Sequence, residues 1–128
     1  MKKEALEAPE VVALQINENK ALISNITQEI LKLDPYSIIT CARGSSNHAC
    51  QYFSYLTMAK LGILPTSLSL SILTLLKAKL HTNQSIGISI SQSGQSPDIV
   101  KPIEFLTTNA LGTVSFVNDT TSPLAQAS

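Results

Sequence analysis

The sequence predicts an α/β fold: a three-layer αβα sandwich around a mostly parallel, flavodoxin-like sheet, preceded by an N-terminal helical segment. Three observations predict it. Apolar runs of strand length alternate with stretches of helical spacing, the pattern of successive βαβ units. Residues 36–41 are rich in β-formers and show no polar alternation, as in strands covered on both faces of a parallel sheet. A second β-branched run, Ile86-Gly87-Ile88-Ser89-Ile90, leads through a small-residue loop into another helical pattern. With 128 residues, 44% of them hydrophobic and 14% charged, the chain is long enough to bury one sizeable core.

Taken in order, residues 1–33 read as helix with a break near Pro9, a residue that favours a first turn. Leu22, Ile26, Ile30 and Leu33 keep one apolar face there, and Asp34-Pro35 is a stop signal. The first strand, 36–41, is followed by the loop Ala42-Arg43-Gly44-Ser45-Ser46. A helix is expected over 47–61, with Ala49, Tyr52, Phe53, Leu56 and Ala59 at helical spacing and Gly62 as its stop. Pro65 opens a weaker strand, 66–70, and residues 71–80 read as helix before the polar His81-Thr82-Asn83-Gln84. The third strand is 85–91, the next helix 97–109, and the fourth strand 113–117. The polar loop Asn118-Asp119-Thr120-Thr121-Ser122 then leads to Pro123, the first turn of one more helix. The expected organisation is a helical segment, 1–33, and an α/β domain, 34–128. That last helix has barely begun at Ser128, so the domain is expected to be incomplete at its C-terminal end.

Composition narrows the function classes. A formal net charge of zero gives no electrostatic reason to expect nucleic acid or an anionic membrane as partner. Residues 63–76, the longest apolar stretch, are interrupted by Pro65 and by Ser and Thr, and no run of about 18 apolar residues occurs. Met1-Lys2-Lys3-Glu4 leads into a charged helical pattern and not a signal-peptide core. Cys41 and Cys50 suit a reducing cytoplasm, and with His48 they lack the fourth ligand of a zinc site, so no metal is expected. Low charge with a positive mean hydropathy suggests that a partner covers apolar surface; a homodimer is expected.

Chemistry concentrates in two loops. In Ser91-Gln92-Ser93-Gly94-Gln95-Ser96-Pro97-Asp98, Gly94 permits a sharp turn and Ser96 suits a helix N-cap whose oxygen accepts a helix N–H. Pro97 fits the first turn, and Asp98 is well placed against the helix dipole. Helix-terminal N–H groups and serine hydroxyls can surround a phosphate without a lysine. By itself this loop reads equally as an ordinary strand–helix cap. In a strand order 2-1-3-4-5, however, strands 1 and 3 flank the topological switch point where ligands bind. Gly44-Ser45-Ser46 and residues 91–96 would therefore converge on one anion. A P-loop is excluded by the missing Gly-Lys-Ser/Thr ending, and the three-glycine dinucleotide fingerprint fails at Arg43-Gly44-Ser45-Ser46. A flavin site would want aromatic residues in these loops, and none is there, so no cofactor is expected. Arg43 reads two ways, as a counter-charge to phosphate or as a solvated loop-edge cation.

The two loops together, Ala-Arg-Gly-Ser-Ser and Ser-Gln-Ser-Gly-Gln-Ser-Pro-Asp, resemble those of the sugar isomerase (SIS) domain family. The resemblance runs from the Glu-Ala-Pro-Glu-Val segment to Ser122-Pro123-Leu124-Ala125. It is strongest toward two-SIS-domain proteins, the isomerase half of glucosamine-6-phosphate synthase and the glucosamine-6-phosphate deaminases. The Ser-Gly-Gln-Ser-Pro-Asp variant is the more deaminase-like, and hydrolysis of glutamine is not expected of residues 1–128.

The resemblance implies phosphate contacts from Ser45, Ser46, Ser91, Gln92, Ser93 and Ser96, and a sugar contact from Thr121 or Ser122. It implies a hexose or hexosamine 6-phosphate as partner, in a cytoplasmic aldose–ketose isomerase or deaminase. A non-catalytic phosphosugar sensor is the alternative, although 33 residues are too few for the DNA-binding domain that usually precedes such a sensor. The family's catalytic Glu, His and Lys have no counterpart in residues 1–128. His48 and His81 lie outside the expected ligand loops, so this chain is expected to bind without turning over.

Overall fold

The structure, a computed structural model, describes residues 2–128. It divides into two units, one ending at Asp34 and the other spanning Pro35–Ser128.

The first unit is a pair of adjacent helices, α1 (Lys2–Glu18) and α2 (Lys20–Leu33). The break falls at Asn19 and not near Pro9, which lies inside α1. Proline removes one N–H from the helix ladder, and on an exposed helix water can satisfy the carbonyl left over. Asparagine is the weaker helix former at its position because its side chain competes for backbone groups. Of the expected apolar face, Ile26 and Ile30 are half-buried, whereas Leu22 and Leu33 are exposed. Asp34 closes α2 in the left-handed conformation, its N–H on the Ile30 carbonyl.

The second unit is built on four strands: β1 (Ser37–Cys41), β2 (Leu64–Ser67), β3 (Ser85–Ser91) and β4 (Gly112–Val117). All neighbours are parallel, in the order β2-β1-β3-β4. The α/β class, the parallel sheet and the switch point between β1 and β3 are those the sequence predicts. β2 lies two residues earlier than expected because its register is set by β1, with Ile38 opposite Pro65 and Thr40 opposite Ser67. Pro65 is tolerated there because β2 is an edge strand.

Helix α3 (Ser45–Leu61) packs against β1, β2 and β3. Helix α5 (Pro97–Asn109) packs against β1, β3 and β4, flanked by the short α4 (Leu70–Thr74) and α6 (Pro123–Ala127). Side chains alternate between the two faces of each strand. Ile39 and Cys41 join Ile99, Val100, Ile103, Leu106 and Leu124 in one cluster, while Ile38, Ile86 and Ile88 are buried from the opposite face. On α3 the buried residues are Cys50 and Thr57, and Tyr52 is exposed, so the inward face is turned about one residue from the one expected. Helix α4 stops at Thr74 instead of reaching residue 80, because Lys77 adopts a left-handed conformation and Ala78 curls back onto the Ile72 carbonyl. The buried serines Ser85 and Ser89 each bond a half-buried serine of a neighbouring strand, Ser37 at 2.8 Å and Ser115 at 2.6 Å. This offsets the desolvation cost of a hydroxyl in the core.

Candidate functional site

A parallel sheet sends every strand's C-terminal end to the same edge. Register pairs Cys41 with Ser89 and Ser91 with Val117, so the segments after β1, β3 and β4 leave that edge side by side. The helices α3 and α5 begin there, and their first-turn N–H groups have no partner within the helix.

Helix α3 starts at Ser45, two residues earlier than the spacing suggested, and Gly44 stands at its N-cap with φ 54°. Ser45 is therefore exposed on the first turn, with Ser46 beside it half-buried. After β3, Ser91 is buried and its Oγ accepts the Gly94 N–H at 3.2 Å. Its hydroxyl thus shapes the loop from within. Gln92 and Ser93 are exposed, and Ser93 Oγ accepts the Gln95 N–H at 3.3 Å, leaving its own O–H to donate elsewhere.

Ser96 occupies the N-cap of α5 as expected, but its side chain makes no capping bond. The Ile99 N–H that the hydroxyl would have taken bonds the Ser96 carbonyl at 2.9 Å instead. The half-buried Ser96 hydroxyl is left unused by the cap.

Two long-range contacts tie these loops together. Arg43, after β1, donates from Nη1 to Asp98 Oδ2 in the first turn of α5. That ion pair spans the switch point and leaves the Arg43 side chain largely exposed. On the other side, Gly94 sits against α6, its carbonyl accepting the Leu124 N–H at 3.1 Å. A Cβ at Gly94, where φ is +61°, would fall on Ser122 Oγ and lie 2.6 Å from Ser122 Cβ.

The expected sugar contacts divide. Ser122 is fully buried, and its Oγ accepts the Ala125 N–H at 3.4 Å as the N-cap of α6, so it is a prop under Gly94 with no open face. Thr121 is exposed, and both its N–H and its hydroxyl donate to Asp119 Oδ1, at 2.8 and 2.6 Å. Those bonds, the hydroxyl's first, hold the Asp119 carboxyl below its usual range. Asp119 was not singled out by sequence reasoning. The legible signal was its spacing to Thr121, the local turn in which an Asp side chain bonds backbone two residues on.

His48 is exposed on α3 with its ring near Gln51, and His81 is exposed before β3. Cys41 and Cys50 are buried and free. Burial, and then the neighbouring Cys50, pushes the Cys41 thiol up to about 12; burial also raises Cys50. Neither is a thiolate at neutral pH. Among the described residues no group of three or more His, Cys, Asp or Glu side chains could hold a metal ion, and no helix is long and apolar enough to cross a membrane. A separate shallow groove between α4 and α5 is lined by Leu73, Lys77, Lys101 and Phe105 and shares no residue with these loops.

No protein-family model and no curated protein sequence matches the chain. Solved structures do, and the structural neighbours are phosphosugar isomerases of the SIS type. A Silicibacter pomeroyi protein described as a phosphosugar isomerase superposes with a TM-score of 0.91 at 34% identity, over 95% of this chain and 37% of that one. The C-terminal domain of glucosamine-fructose-6-phosphate aminotransferase from Francisella tularensis gives 0.68 at 21% identity, over 80% of this chain and 28% of that one. An Escherichia coli CFT073 protein in complex with A5P gives 0.71 at 18% identity, over 92% of this chain and 62% of that one. The last two share the fold. The chain spans about a third of the length of the first two.

Proposed function

We propose that this chain is a phosphosugar-binding unit that holds the phosphate of a hexose or hexosamine 6-phosphate between the first turns of α3 and α5. The observation that carries the reading is the meeting of two serine loops across the β1/β3 switch point, joined by the Arg43–Asp98 ion pair. The likeness to a phosphosugar isomerase at 34% identity supports the same ligand class. Ser45, Ser46, Gln92, Ser93 and Ser96 are the contacts, with Ser91 shaping the loop behind them. N–H groups and hydroxyls held at helix N-termini stabilise a dianion at little reorganisation cost. Thr121, held by Asp119, is the sugar contact.

Moving a proton between C1 and C2 of a sugar needs a base beside those carbons. The two carboxylates near the crevice, Asp98 and Asp119, are both engaged, and neither histidine lies on these loops. The chain therefore binds and does not turn over by itself, and the activity it serves is aldose–ketose isomerisation or deamination of hexosamine 6-phosphates. Free cysteines suit a cytoplasmic protein, and the exposed Tyr52, Tyr55 and Met58 on α3 suit cover by a second copy.

The test is titration calorimetry with glucosamine 6-phosphate, fructose 6-phosphate and inorganic phosphate. Ser93→Ala removes a charge-assisted hydrogen bond of about 1.5–3 kcal/mol and weakens binding roughly ten- to a hundredfold. Equal affinity in both proteins would remove this loop from the site.

A further inference from the structure

We propose that Arg43 is the cationic anchor of the crevice, gripping the ligand's anionic group, and that Asp98 is a positioning residue that aims it. The inference rests on the phosphosugar-binding reading and deepens it by naming the side chain that selects a charged phosphate over a neutral sugar.

Arg43 is the only Lys or Arg in segments 42–46, 91–98 and 118–122, whose acidic residues are Asp98 and Asp119. Without it those loops would repel a dianion, since like charges in a crevice disfavour each other. Its guanidinium presents five N–H donors in a planar fork suited to phosphate. One nitrogen, Nη1, bonds Asp98, and among the described residues no other group accepts from Arg43. The side chain is 61% exposed, so a solute can reach the remaining donors.

Asp98 is suited to hold it. A carboxylate in the first turn of α5 is stabilised by the helix dipole, which fixes the acceptor next to the helix end where the phosphate is expected. Tethering a long side chain removes part of the ordering cost that ligand binding would otherwise carry. The competing explanation is that Arg43 only neutralises Asp98. Under that explanation, deleting both charges restores binding; under ours it does not.

The experiment uses the 128-residue chain, with inorganic phosphate and fructose 6-phosphate as probes and calorimetry at several salt concentrations. Arg43→Gln and Arg43→Met, both at an exposed position, are expected to weaken binding ten- to a hundredfold and to flatten its salt dependence, with melting curves reporting the fold. Arg43→Lys recovers part of the affinity. Asp98→Asn weakens binding severalfold although it removes a negative charge, and Arg43→Gln/Asp98→Asn stays as weak as Arg43→Gln. Unchanged affinity in both Arg43 variants, or wild-type affinity in the double variant, overturns the inference. If Ser93→Ala weakens binding and the Arg43 variants do not, only the role of Arg43 falls. If the wild type binds neither probe, the phosphosugar reading falls first and the inference with it.

Discussion

Gly94→Ala probes the joint on which the β3 loop is set. At φ +61° an alanine carries the left-handed penalty, about 1–2 kcal/mol. Its Cβ would also fall on Ser122 Oγ and lie 2.6 Å from Ser122 Cβ, where Ser122 is fully buried and caps α6. Overpacking of that kind costs about 1–3 kcal/mol. The sum is about 2–5 kcal/mol, a large share of the roughly 5–15 kcal/mol that holds an ordinary domain folded. For a chain of this size that corresponds to a fall in melting temperature of roughly 6–25 °C.

Urea or thermal unfolding of three further proteins separates the two contributions. Gly62→Ala shares the positive φ in the left-handed region, but its Cβ would meet nothing within 4 Å, so it should lose only the backbone part, about 1–2 kcal/mol. Ser122→Gly removes both clashing atoms and keeps a residue acceptable at an N-cap, at a cost of a few tenths of a kcal/mol. Combined with Gly94→Ala it should recover the overpacking part, a favourable coupling of about 1–3 kcal/mol. A Gly94→Ala protein no less stable than Gly62→Ala, with no coupling to Ser122, would refute the reasoning. Loop 92–96 would then have to be fixed by something other than its seat on α6.

Gly87→Ala should cost about 1–3 kcal/mol by overpacking alone, because its φ is ordinary and its Cβ would lie 3.0 Å from both Leu106 Cδ1 and Thr113 Cγ2; chemical unfolding reads the difference. Alkaline stability should follow the cysteines. The Cys41 thiol, about 12 when folded against 9.0 as an ordinary thiol, keeps its proton in the native state where the unfolded chain loses it. Its contribution is thus complete below pH 9 and lost as pH climbs toward 12, with a slope of at most about 1.4 kcal/mol per pH unit. Cys41→Ala should flatten that slope in unfolding curves taken from pH 8 to pH 11, and an unchanged slope would contradict it.

Local chemistry made much of this legible in advance. Helix α5 runs from Pro97 to Asn109 as its Ser-Pro-Asp opening and apolar spacing indicate, and the non-alternating β1 and Ile-rich β3 are the two central strands. What sequence spacing did not carry was set by contacts between distant residues. The bounds of β2 follow from pairing with β1, and α4 is cut short by a left-handed lysine that no periodicity marks. In the site, the serines were readable because each belongs to a strand–loop–helix connection. The Arg43–Asp98 pair, 55 residues apart in sequence, and the seat of Gly94 on Ser122 were not readable, because only the sheet order brings them together. The cap at Ser96 was misread for a local reason: carbonyl and hydroxyl of one residue compete for the same N–H, and the carbonyl holds it.

The central claim is that the phosphate of a sugar phosphate sits between the first turns of α3 and α5, and its most direct test is an amide NMR titration with fructose 6-phosphate. The account predicts saturable shifts that are largest at residues 44–47 and 92–98. Shifts absent from those two loops, or confined to the Lys77–Lys101 groove between α4 and α5, would contradict it.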